Sequence, residues 1–284
     1  MSVKLKLTGG LGNQMFQFAA GYSLAKRRNK ELNLDLSWFN RRNLHNGFEL
    51  DDVFNIYSKV DFLNRPFSFK KFNLKELFVK IDRTYKIFDE PHFQYTSKIN
   101  IVPEHCFLRG YWQSEKYFKN FASEIKSIYT FNRPLDEENS KIAQDIINNK
   151  SVSLHIRRGD FLLKRNHKHQ VDLTKYYSDA IKSVLKNYTS PKFYIFTDDF
   201  DWVSKNSFIE TNYVFVKINQ EKNSFLDMQL MSLCDVNIIA NSSFSWWSAW
   251  LNNKSDKTIF APKNWFNDTR SEEHTSELQS PMYL

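Results

Sequence analysis

The alternation of hydrophobic and polar residues divides the chain into short strands separated by segments with one apolar face. Residues 151–156 alternate strictly, which is the period of a β-strand with one buried face. Residues 15–28 place apolar side chains at helical spacing. The same criteria predict further strands at 3–7, 31–36, 107–110, 192–197, 213–216, 236–240 and 258–261. They predict further helices at 173–185, at 224–233, after residue 241 and from residue 111 onward.

Strands that alternate with helices in this way are typical of an α/β fold with parallel sheets. The unit β–loop–α–β at the start of the chain has the opening arrangement of a Rossmann-like domain, and the alternation resumes at residue 151. We therefore predict two Rossmann-like domains, residues 1–133 and 134–269, facing a central cleft that holds a ligand. Residues 40–100 show weak periodicity and are predicted to be a variable, loop-rich insert.

The composition indicates a globular protein with basic character. Apolar residues make up 41% of the chain and aromatic residues 16%, and the formal net charge is +8. The basic residues are scattered and do not form the long cluster expected of a nucleic-acid-binding protein, so no nucleic-acid partner is predicted. The charge suits an anionic nucleotide sugar or an anionic membrane surface. Cys106 and Cys234 lack metal-ligand spacing and are predicted to be reduced core residues.

The sequence contains no run of the roughly 20 apolar residues that cross a bilayer, and no signal-peptide pattern. We therefore expect a cytoplasmic protein, compatible with peripheral contact at the inner membrane surface. The sequence indicates no oligomeric state. Residues 270–284 match the translation of a common sequencing-adapter oligonucleotide and lack apolar periodicity. They are expected to be non-native and to add no packed element to the fold.

The strand at 151–156 leads directly into two arginines, a glycine and an acid, Arg157 to Asp160. Guanidinium groups bind phosphate oxygens bidentately and stay protonated, so two arginines at a strand terminus suit a diphosphate. His155 and Arg157 are expected to point together toward the open end of the strand. An arginine pair on a solvated loop is the common alternative, but its position at the end of a strand favours a diphosphate site.

The glycine-rich loop after the first strand is a second candidate ligand contact. Gly9, Gly10 and Gly12 would let the backbone approach a ligand, and Asn13 offers a side-chain amide. The loop also resembles a dinucleotide-binding fingerprint with Asp35 as the ribose acid, but its third glycine is replaced by methionine. This incomplete match makes NAD binding the weaker interpretation.

Serines that follow the strand at 236–240 are a third candidate site. Ser242, Ser243 and the backbone of Phe244 open a predicted helix, whose N-terminus can bind an anion. Ordinary helix capping is the alternative, and the tryptophans that follow are predicted to be core residues. Gln113 and Ser114, next to Trp112, could face a sugar.

Two acids after the strand at 192–197 raise the question of a metal ion. Asp199 and Asp201 match the Asp-x-Asp pattern of metal-dependent glycosyl transfer, but this three-residue match is not specific. A solvated acid or a helix N-cap is the more common role of such residues. The chain has no Cys/His metal set, and no metal site is predicted.

Seven motifs in order along residues 3–269 together resemble the bacterial α-1,2-fucosyltransferases of glycosyltransferase family 11. The chain departs from the family pattern at Phe161, where a tyrosine is usual, in a short loop at 162–168, and at its end. The matching segments are Gly9–Gln17, Gly110–Phe118, His155–Asp160, Phe193–Asp199, Leu226–Asp235, Ile238–Trp247 and Pro262–Phe266.

The resemblance implies a GT-B architecture in which the C-terminal domain holds GDP-fucose. It implies an inverting transfer of fucose to the 2-hydroxyl of a terminal β-galactoside, with no metal or other cofactor. Charge would collect on the β-phosphate of the leaving GDP, and Arg157 is the predicted residue that stabilises it. The other predicted donor contacts are His155, Arg158, Asp198, Ser242, Ser243 and Phe244, with Gly10, Gly12 and Asn13 from the N-terminal domain.

Asp160 and His169 are the candidates by position for the general base that takes the proton of the acceptor hydroxyl, and the sequence does not distinguish them. Two other classes of protein also remain. One is a metal-dependent transferase of other sugar specificity that uses Asp199 and Asp201. The other is a non-catalytic protein that binds a glycan, a nucleotide or a nucleic acid.

Overall fold

The computed structural model describes residues 2–40, 45–64, 85–159, 171–206, 212–266 and 281–283, the last three by their backbone alone. The chain divides into two compact units, Met1–Asn132 and Arg133–Leu284. This division falls one residue before the boundary predicted from the sequence. Each unit contains a parallel sheet with helices along the chain between its strands, which is the two-domain α/β arrangement of the GT-B type.

Unit 1 is built on a five-stranded parallel sheet with the order β3-β2-β1-β5-β4. Its strands are β1 (Ser2–Lys6), β2 (Glu31–Asp35), β3 (Leu63–Asn64), β4 (Lys86–Asp89) and β5 (Cys106–Arg109). Its helices are α1 (Leu11–Arg28), α2 (Leu50–Phe54), α3 (Ile56–Lys59) and α4 (Ala122–Ile128). The central position of β1 puts the loop that follows it in the middle of the sheet's carboxyl edge.

Helix α1 begins at Leu11, four residues before the predicted start, and Gly10 is its N-cap residue. Gly12 and Asn13 therefore lie in the first turn of the helix and not in a loop. The helix ends at Arg28, and the C-cap residue Asn29, with a left-handed φ of 51°, closes the last turn. The prediction that a helix starts at residue 111 is wrong. Two short 3₁₀ turns, Glu115–Tyr117 and Lys119–Phe121, precede α4 there.

Unit 2 is built on a six-stranded parallel sheet with the order β11-β10-β9-β6-β7-β8. Its strands are β6 (Ser151–Ile156), β7 (Lys192–Thr197), β8 (Tyr213–Phe215), β9 (Val236–Ile238), β10 (Thr258–Ala261) and β11 (Pro281–Tyr283). Its helices are α5 (Glu137–Asn148), α6 (Thr174–Asn187), α7 (Phe200–Lys205), α8 (Phe225–Met231) and α9 (Ser243–Leu251). Strand β6 pairs with β7 on one side and β9 on the other, so it is central.

All six residues of β6 are buried, although its alternating sequence predicts only one buried face. Helices cover both faces of a parallel sheet, so polar residues of a central strand must find partners inside. Ser153 accepts a 2.7 Å hydrogen bond from Asn237 of β9, whose side chain also receives one from Asn252. The hydroxyl group of Ser153 is thus satisfied by a neighbouring strand and not by solvent.

Two helices of unit 2 are not predicted by the sequence pattern. Helix α5 buries only Asn139, Ala143 and Ile146, so its apolar stripe is short and includes an amide. Helix α7 has six residues, which is too short for a periodicity to emerge. Both are marked instead by aspartates at their N-caps, Asp136 and Asp199, which accept hydrogen bonds from the first helical turn.

The C-terminal segment contributes a strand, which contradicts the expectation that residues 270–284 add no packed element. Residues 281–283 form β11 and pair in parallel with β10 at the edge of the second sheet. Residues 270–280, on which the rest of that expectation depends, lie outside the described residues. Within the described part of the chain, no helix combines the length and the hydrophobicity needed to cross a bilayer.

A carboxyl group of α8 makes the stability of unit 2 depend on pH. Burial raises the pKa of Asp227 to about 7, although a hydrogen bond from Asn219 lowers it. The folded protein therefore holds a proton that the unfolded chain releases near pH 4, and stability falls as pH rises from about 4 to about 7. We expect Asp227→Asn, which keeps an amide oxygen for Asn219, to raise Tm at pH 8 by a few degrees.

Thermal unfolding of this variant at pH 4.5 and pH 8 checks the prediction. The gain in Tm should be largest at pH 8 and should shrink toward pH 4.5. Asp256→Asn, which changes an exposed aspartate, serves as the matched control and should show no such pH-dependent gain. A lower Tm for Asp227→Asn at pH 8 would show that the ionised carboxylate stabilises the fold.

Candidate functional site

Three loops with polar side chains meet at the carboxyl edge of the second sheet. Arg157 follows β6, Asp198 follows β7, and Asn241 lies between β9 and α9. Because β6 lies between β7 and β9 and all three run in parallel, their carboxyl ends are adjacent. Ligands of open α/β sheets bind outside the carboxyl ends of the strands, and this edge is therefore the candidate site of unit 2.

The two arginines after β6 are held by the two aspartates after β7. Arg157 Nη1 lies 3.0 Å from Asp198 Oδ2, and Arg158 Nε donates to Asp199 Oδ2 at 3.2 Å. The backbone N–H of Arg158 also donates to Asp198 Oδ1 at 2.8 Å. Asp198 therefore fixes both a side chain and the backbone of the loop. About a third of each arginine side chain stays exposed and accessible to a ligand.

Close packing around this pair fixes the loop further. The guanidinium of Arg158 lies 3.9 Å from the ring centroid of Trp202 in α7, a cation–π contact. A Cβ atom on Gly159 would lie 2.7 Å from Asp198 Oδ2, so the loop cannot carry a side chain there without moving the carboxylate. The arginines are thus pre-positioned by contacts within the protein, which lowers the cost of binding a ligand.

His155 is the second-last residue of β6, next to the loop that carries the two arginines. Its side chain is buried, and its ring lies 6.0 Å from that of Phe244 in α9. Burial, reinforced by the positive charge of Arg157, holds the pKa of His155 well below its usual value, although Asp198 opposes this. The imidazole is therefore neutral near pH 7. Its Nδ1 has no hydrogen-bond partner among the described residues, so it keeps one polar atom for a further contact.

The start of α9 supplies backbone donors at the same edge. Ser242 occupies the N-cap position without capping through its side chain, and the first turn contains no acidic residue. The positive end of the helix is therefore not neutralised by a carboxylate in its own sequence. Asn241 donates to the carbonyl of Trp265 at 3.0 Å, which fixes the loop before the helix. Trp246, Trp247 and Trp250 are core residues, as the sequence predicts.

Asp199 has a capping role. It is the N-cap residue of α7 and accepts the N–H of Trp202 at 3.0 Å, in addition to its contact with Arg158. Asp201 lies exposed in the first turn of the same helix. Among the described residues, no group of three or more His, Cys, Asp or Glu side chains is close enough to hold a metal ion.

The glycine-rich loop of unit 1 is held by two buried glutamines of α1. Gly9 has a φ of +78°, a conformation that side chains rarely adopt. Gln14 donates to the carbonyls of Gly9 and Gly47, at 3.0 and 2.8 Å. Gln17 accepts the N–H of Thr8 at 2.9 Å and donates to the carbonyl of Gly110 at 3.0 Å. Gln14 and Gln17 of this motif therefore hold together the loops that contain Gly9, Gly47 and Gly110.

Two further contacts define the first turn of α1. Asn13 Oδ1 accepts a 2.7 Å hydrogen bond from Gln113 in the loop after β5. Burial raises the pKa of Glu49, while hydrogen bonds from Asn46 and from the backbone of Leu11 lower it. The Glu49 carboxyl group thus lies at the N-terminus of α1. The contact of Gly10 and Gly12 with the donor stays a prediction.

A second acid, Glu90 after β4, fixes the loop from Gly110 to Gln113. Its two carboxyl oxygens accept the N–H groups of Tyr111 and Trp112 at 2.7 and 3.1 Å. Burial raises the pKa of Glu90 to about 7, although these two backbone hydrogen bonds lower it. A Cβ atom on Gly110 would lie 2.4 Å from the Cβ of Glu90, so only glycine fits.

The structure brings together only part of the predicted site. Arg157, Arg158, Asp198 and the start of α9 share one edge in unit 2, whereas Asn13 belongs to unit 1. Asp160 and His169, the candidate bases, lie outside the described residues. The contacts of Trp202, Glu49 and Glu90 are not anticipated from the sequence, although Asp199 at an N-cap position could have indicated α7 and hence Trp202.

A sequence profile described as Glycosyl transferase family 11 matches residues 2–283. The chain is 36% identical over 277 residues to an Alpha-1,2-colitosyltransferase of Escherichia coli, covering 93% of this chain and 92% of the relative. It is 26% identical over 254 residues to Galactoside alpha-(1,2)-fucosyltransferase 2 of Hylobates lar, covering 86% and 67%.

The fold is similar to that of a solved enzyme, the NodZ alpha-1,6-fucosyltransferase of Bradyrhizobium crystallised with GDP. The TM-score is 0.51 at 15% sequence identity, over 87% of this chain and 90% of the other. At this identity the likeness shows the fold alone, and it agrees with the GT-B architecture predicted from the sequence.

Proposed function

Because the chain belongs to glycosyl transferase family 11, and is therefore a glycosyltransferase, we propose that it transfers fucose from GDP-fucose to a terminal galactose. The acceptor is the 2-hydroxyl and the product an α-1,2 linkage, formed with inversion. The observation that carries this proposal is the paired arrangement of Arg157 and Arg158 with Asp198 and Asp199 at one sheet edge. A relative named as a galactoside α-(1,2)-fucosyltransferase supports the choice of sugar and linkage.

The donor's diphosphate is the group that this edge suits best. Its two negative charges would meet Arg157 and Arg158 and the N–H groups at the start of α9. Ser242, Ser243 and Phe244 are the predicted contacts there, and they stay predictions. On binding, the diphosphate would share the Arg157 guanidinium with Asp198 or displace that carboxylate. The role of Asp198 that the structure supports is to position the Arg157 side chain. Its direct contact with the donor stays a prediction.

Arg157 is the proposed residue that lowers the barrier to transfer. As the bond between fucose and the β-phosphate breaks, negative charge grows on the phosphate while the sugar becomes oxocarbenium-like. A fixed guanidinium stabilises that growing charge more than the charge of the ground state. His155 is neutral and buried, so its proposed part is a hydrogen bond and not a second positive charge. Asp160 and His169 stay the two predicted candidates for the base that removes the acceptor proton.

The direct test is an assay of the purified chain with GDP-fucose and a panel of galactosides, followed by linkage analysis of the product. The proposal predicts α-1,2-fucosylated galactosides, and none when the acceptor lacks the galactose 2-hydroxyl. GDP binding without transfer to any acceptor would favour the non-catalytic interpretation. Transfer to another hydroxyl would contradict the proposed linkage.

Transfer of colitose is the second candidate, and the identity to the colitosyltransferase favours it. Colitose is fucose without its 3-hydroxyl, so both donors present the same diphosphate to the arginines. A site that hydrogen-bonds the 3-hydroxyl strongly rejects an analogue that lacks it, whereas an apolar site discriminates weakly. Comparing kcat/KM for GDP-fucose and GDP-colitose with one acceptor decides between them, and a higher value for GDP-colitose would replace the first proposal.

Transfer is expected to persist in excess EDTA, because arginine side chains and not a divalent cation would meet the charge of the leaving group. Initial rates with EDTA and with added Mn²⁺ or Mg²⁺ measure this. Complete loss of activity in EDTA, restored by either cation, would contradict the prediction. In that case Asp199 and Asp201 would be the first residues to test as metal ligands.

A further inference from the structure

Two partly exposed aromatic rings lie together at the carboxyl edge of the sheet in unit 1. Phe93 follows β4 and Tyr111 follows β5, and these two strands are paired neighbours. Their ring centroids are 6.1 Å apart with an interplanar angle of 29°. Phe93 is 37% exposed and Tyr111 38%, so each ring keeps a large surface in contact with solvent. Exposed aromatic rings that pack against each other form an apolar surface that a ligand can cover.

The position of Tyr111 is fixed by its neighbours on both sides. Its N–H is bound to Glu90, and the next residue, Trp112, is fully buried with a left-handed φ of 55°. The Trp112 ring packs against Phe88 at 5.9 Å and against Tyr117 at 5.4 Å. A tryptophan held in this strained conformation by two ring contacts makes the preceding residue rigid. The ring pair is therefore a pre-organised surface and not part of an adaptable loop.

The polar groups beside the rings suit a neutral ligand that is rich in hydroxyl groups. Glu90 uses one lone pair on each oxygen for a backbone N–H, which leaves further acceptor positions on its carboxyl group. The charge of Arg109 is met by Asp89, which accepts hydrogen bonds of 2.7 and 2.6 Å from it. Two acids thus stand next to the rings, and the adjacent arginine is already paired. This environment disfavours a diphosphate, which suits the arginine pair of unit 2.

We propose that Phe93 and Tyr111 form a platform that binds the acceptor sugar through the apolar face of a galactopyranose. The inference rests on the proposed function, because it assigns the acceptor half of that reaction. In β-galactose the axial 4-hydroxyl leaves the hydrogens on carbons 3, 4 and 5 together on one face. Such a face packs on an aromatic ring, while the hydroxyl groups at its rim take hydrogen bonds from nearby polar groups.

Kinetics of single variants test the platform. We expect Tyr111→Ala to raise the acceptor KM about 5- to 10-fold, the range that loss of an aromatic contact gives, and to leave the KM for GDP-fucose unchanged. Tyr111→Phe, which keeps the ring, should stay close to the wild type. Phe93→Ala should act in the same direction. Tyr213→Ala removes a tyrosine of similar exposure from unit 2 and is the matched control, with no expected change.

Saturation-transfer NMR with methyl β-galactoside, in the absence of donor, tests the platform without any turnover. We expect transfer to the hydrogens on carbons 3, 4 and 5 in the wild type and its loss in Tyr111→Ala. Binding of this kind by a wild type that transfers no fucose would contradict the proposed function and keep the platform. Fucose transfer with an unchanged acceptor KM in Tyr111→Ala would contradict the platform and keep the proposed function.

Three other outcomes would overturn the platform. The first is that the wild type binds no galactoside. The second is that Tyr111→Ala loses GDP affinity as much as acceptor affinity, which would indicate a general structural role. The third is that Phe93→Ala or Tyr111→Ala changes the oligomeric state in size-exclusion chromatography, which would make the rings a contact between copies of the chain. Tm and GDP binding of each variant establish that it is folded.

Discussion

Replacement of Arg157 by alanine is expected to lower kcat/KM for transfer by about 10²–10³-fold, the typical cost of one lost contact to the developing charge. The guanidinium lies at the carboxyl end of the central strand β6, and Asp198 holds it in place. Arg157→Lys should recover little activity, because an ammonium group is a point charge and does not reproduce the bidentate geometry. Steady-state kinetics with GDP-fucose and one galactoside measure both variants.

Lys175→Ala is the matched control for this experiment. It removes a positive charge from the same unit, at an exposed ion pair with Asp179 within α6. An exposed pair of this kind contributes little to stability, so the control should keep its activity and Tm. If Arg157→Ala kept activity within a few-fold of the wild type while folded, the arginine would not stabilise the leaving group.

Asp198→Ala is expected to lower kcat/KM by about 10–100-fold although the residue it supports, Arg157, is intact. Without the carboxylate, the Arg157 side chain and the Arg158 backbone lose the contacts at 3.0 and 2.8 Å that position them. A displacement of about 1 Å at a catalytic group can reduce rates about 100-fold. Asp179→Asn, at a partly exposed aspartate of α6, is the control and should have no effect.

A double-variant cycle with Gly159 separates positioning from direct binding. The added Cβ of Gly159→Ala would lie 2.7 Å from Asp198 Oδ2, so this variant should also displace the carboxylate and reduce activity. In the Asp198→Ala background that oxygen is absent, and Gly159→Ala should then add little. Fully additive effects would mean that the glycine and the aspartate act independently, and Asp198 would not be the positioning residue.

The order of strands and helices could be predicted from the sequence where the hydrophobic pattern is strong. Strands β6 and β7 match their predicted ranges, because β6 alternates and β7 is a short apolar run bounded by polar residues. Strand β4 lies at an edge of its sheet with its side chains mostly exposed, so it has no apolar alternation to detect. The predicted strand that ends near Asp35 is present as β2. The Asp35 carboxylate accepts the N–H of Ser37 in the turn that follows this strand.

The arginine pair could be predicted as a cluster because it follows a strand, and residues at the ends of adjacent parallel strands must lie near one another. The ion-pair partners of the arginines could not be predicted from the sequence. Asp198 lies beside Arg157 because β6 pairs with β7, and this strand pairing is a feature of the tertiary structure. The burial of His155 could not be predicted from the sequence either. Its position in an alternating strand predicts an exposed face, and only the helices that cover both sides of the sheet remove it from solvent.

The proposed mechanism depends most directly on Arg157 as the contact for the donor's diphosphate. Isothermal titration of GDP and of guanosine to the wild type and to Arg157→Ala isolates the contribution of the diphosphate. We expect the wild type to bind GDP much more tightly than guanosine. We expect the variant to lose most of this difference while its affinity for guanosine is unchanged. An equal preference for GDP in both proteins would contradict this mechanism and would place the diphosphate elsewhere.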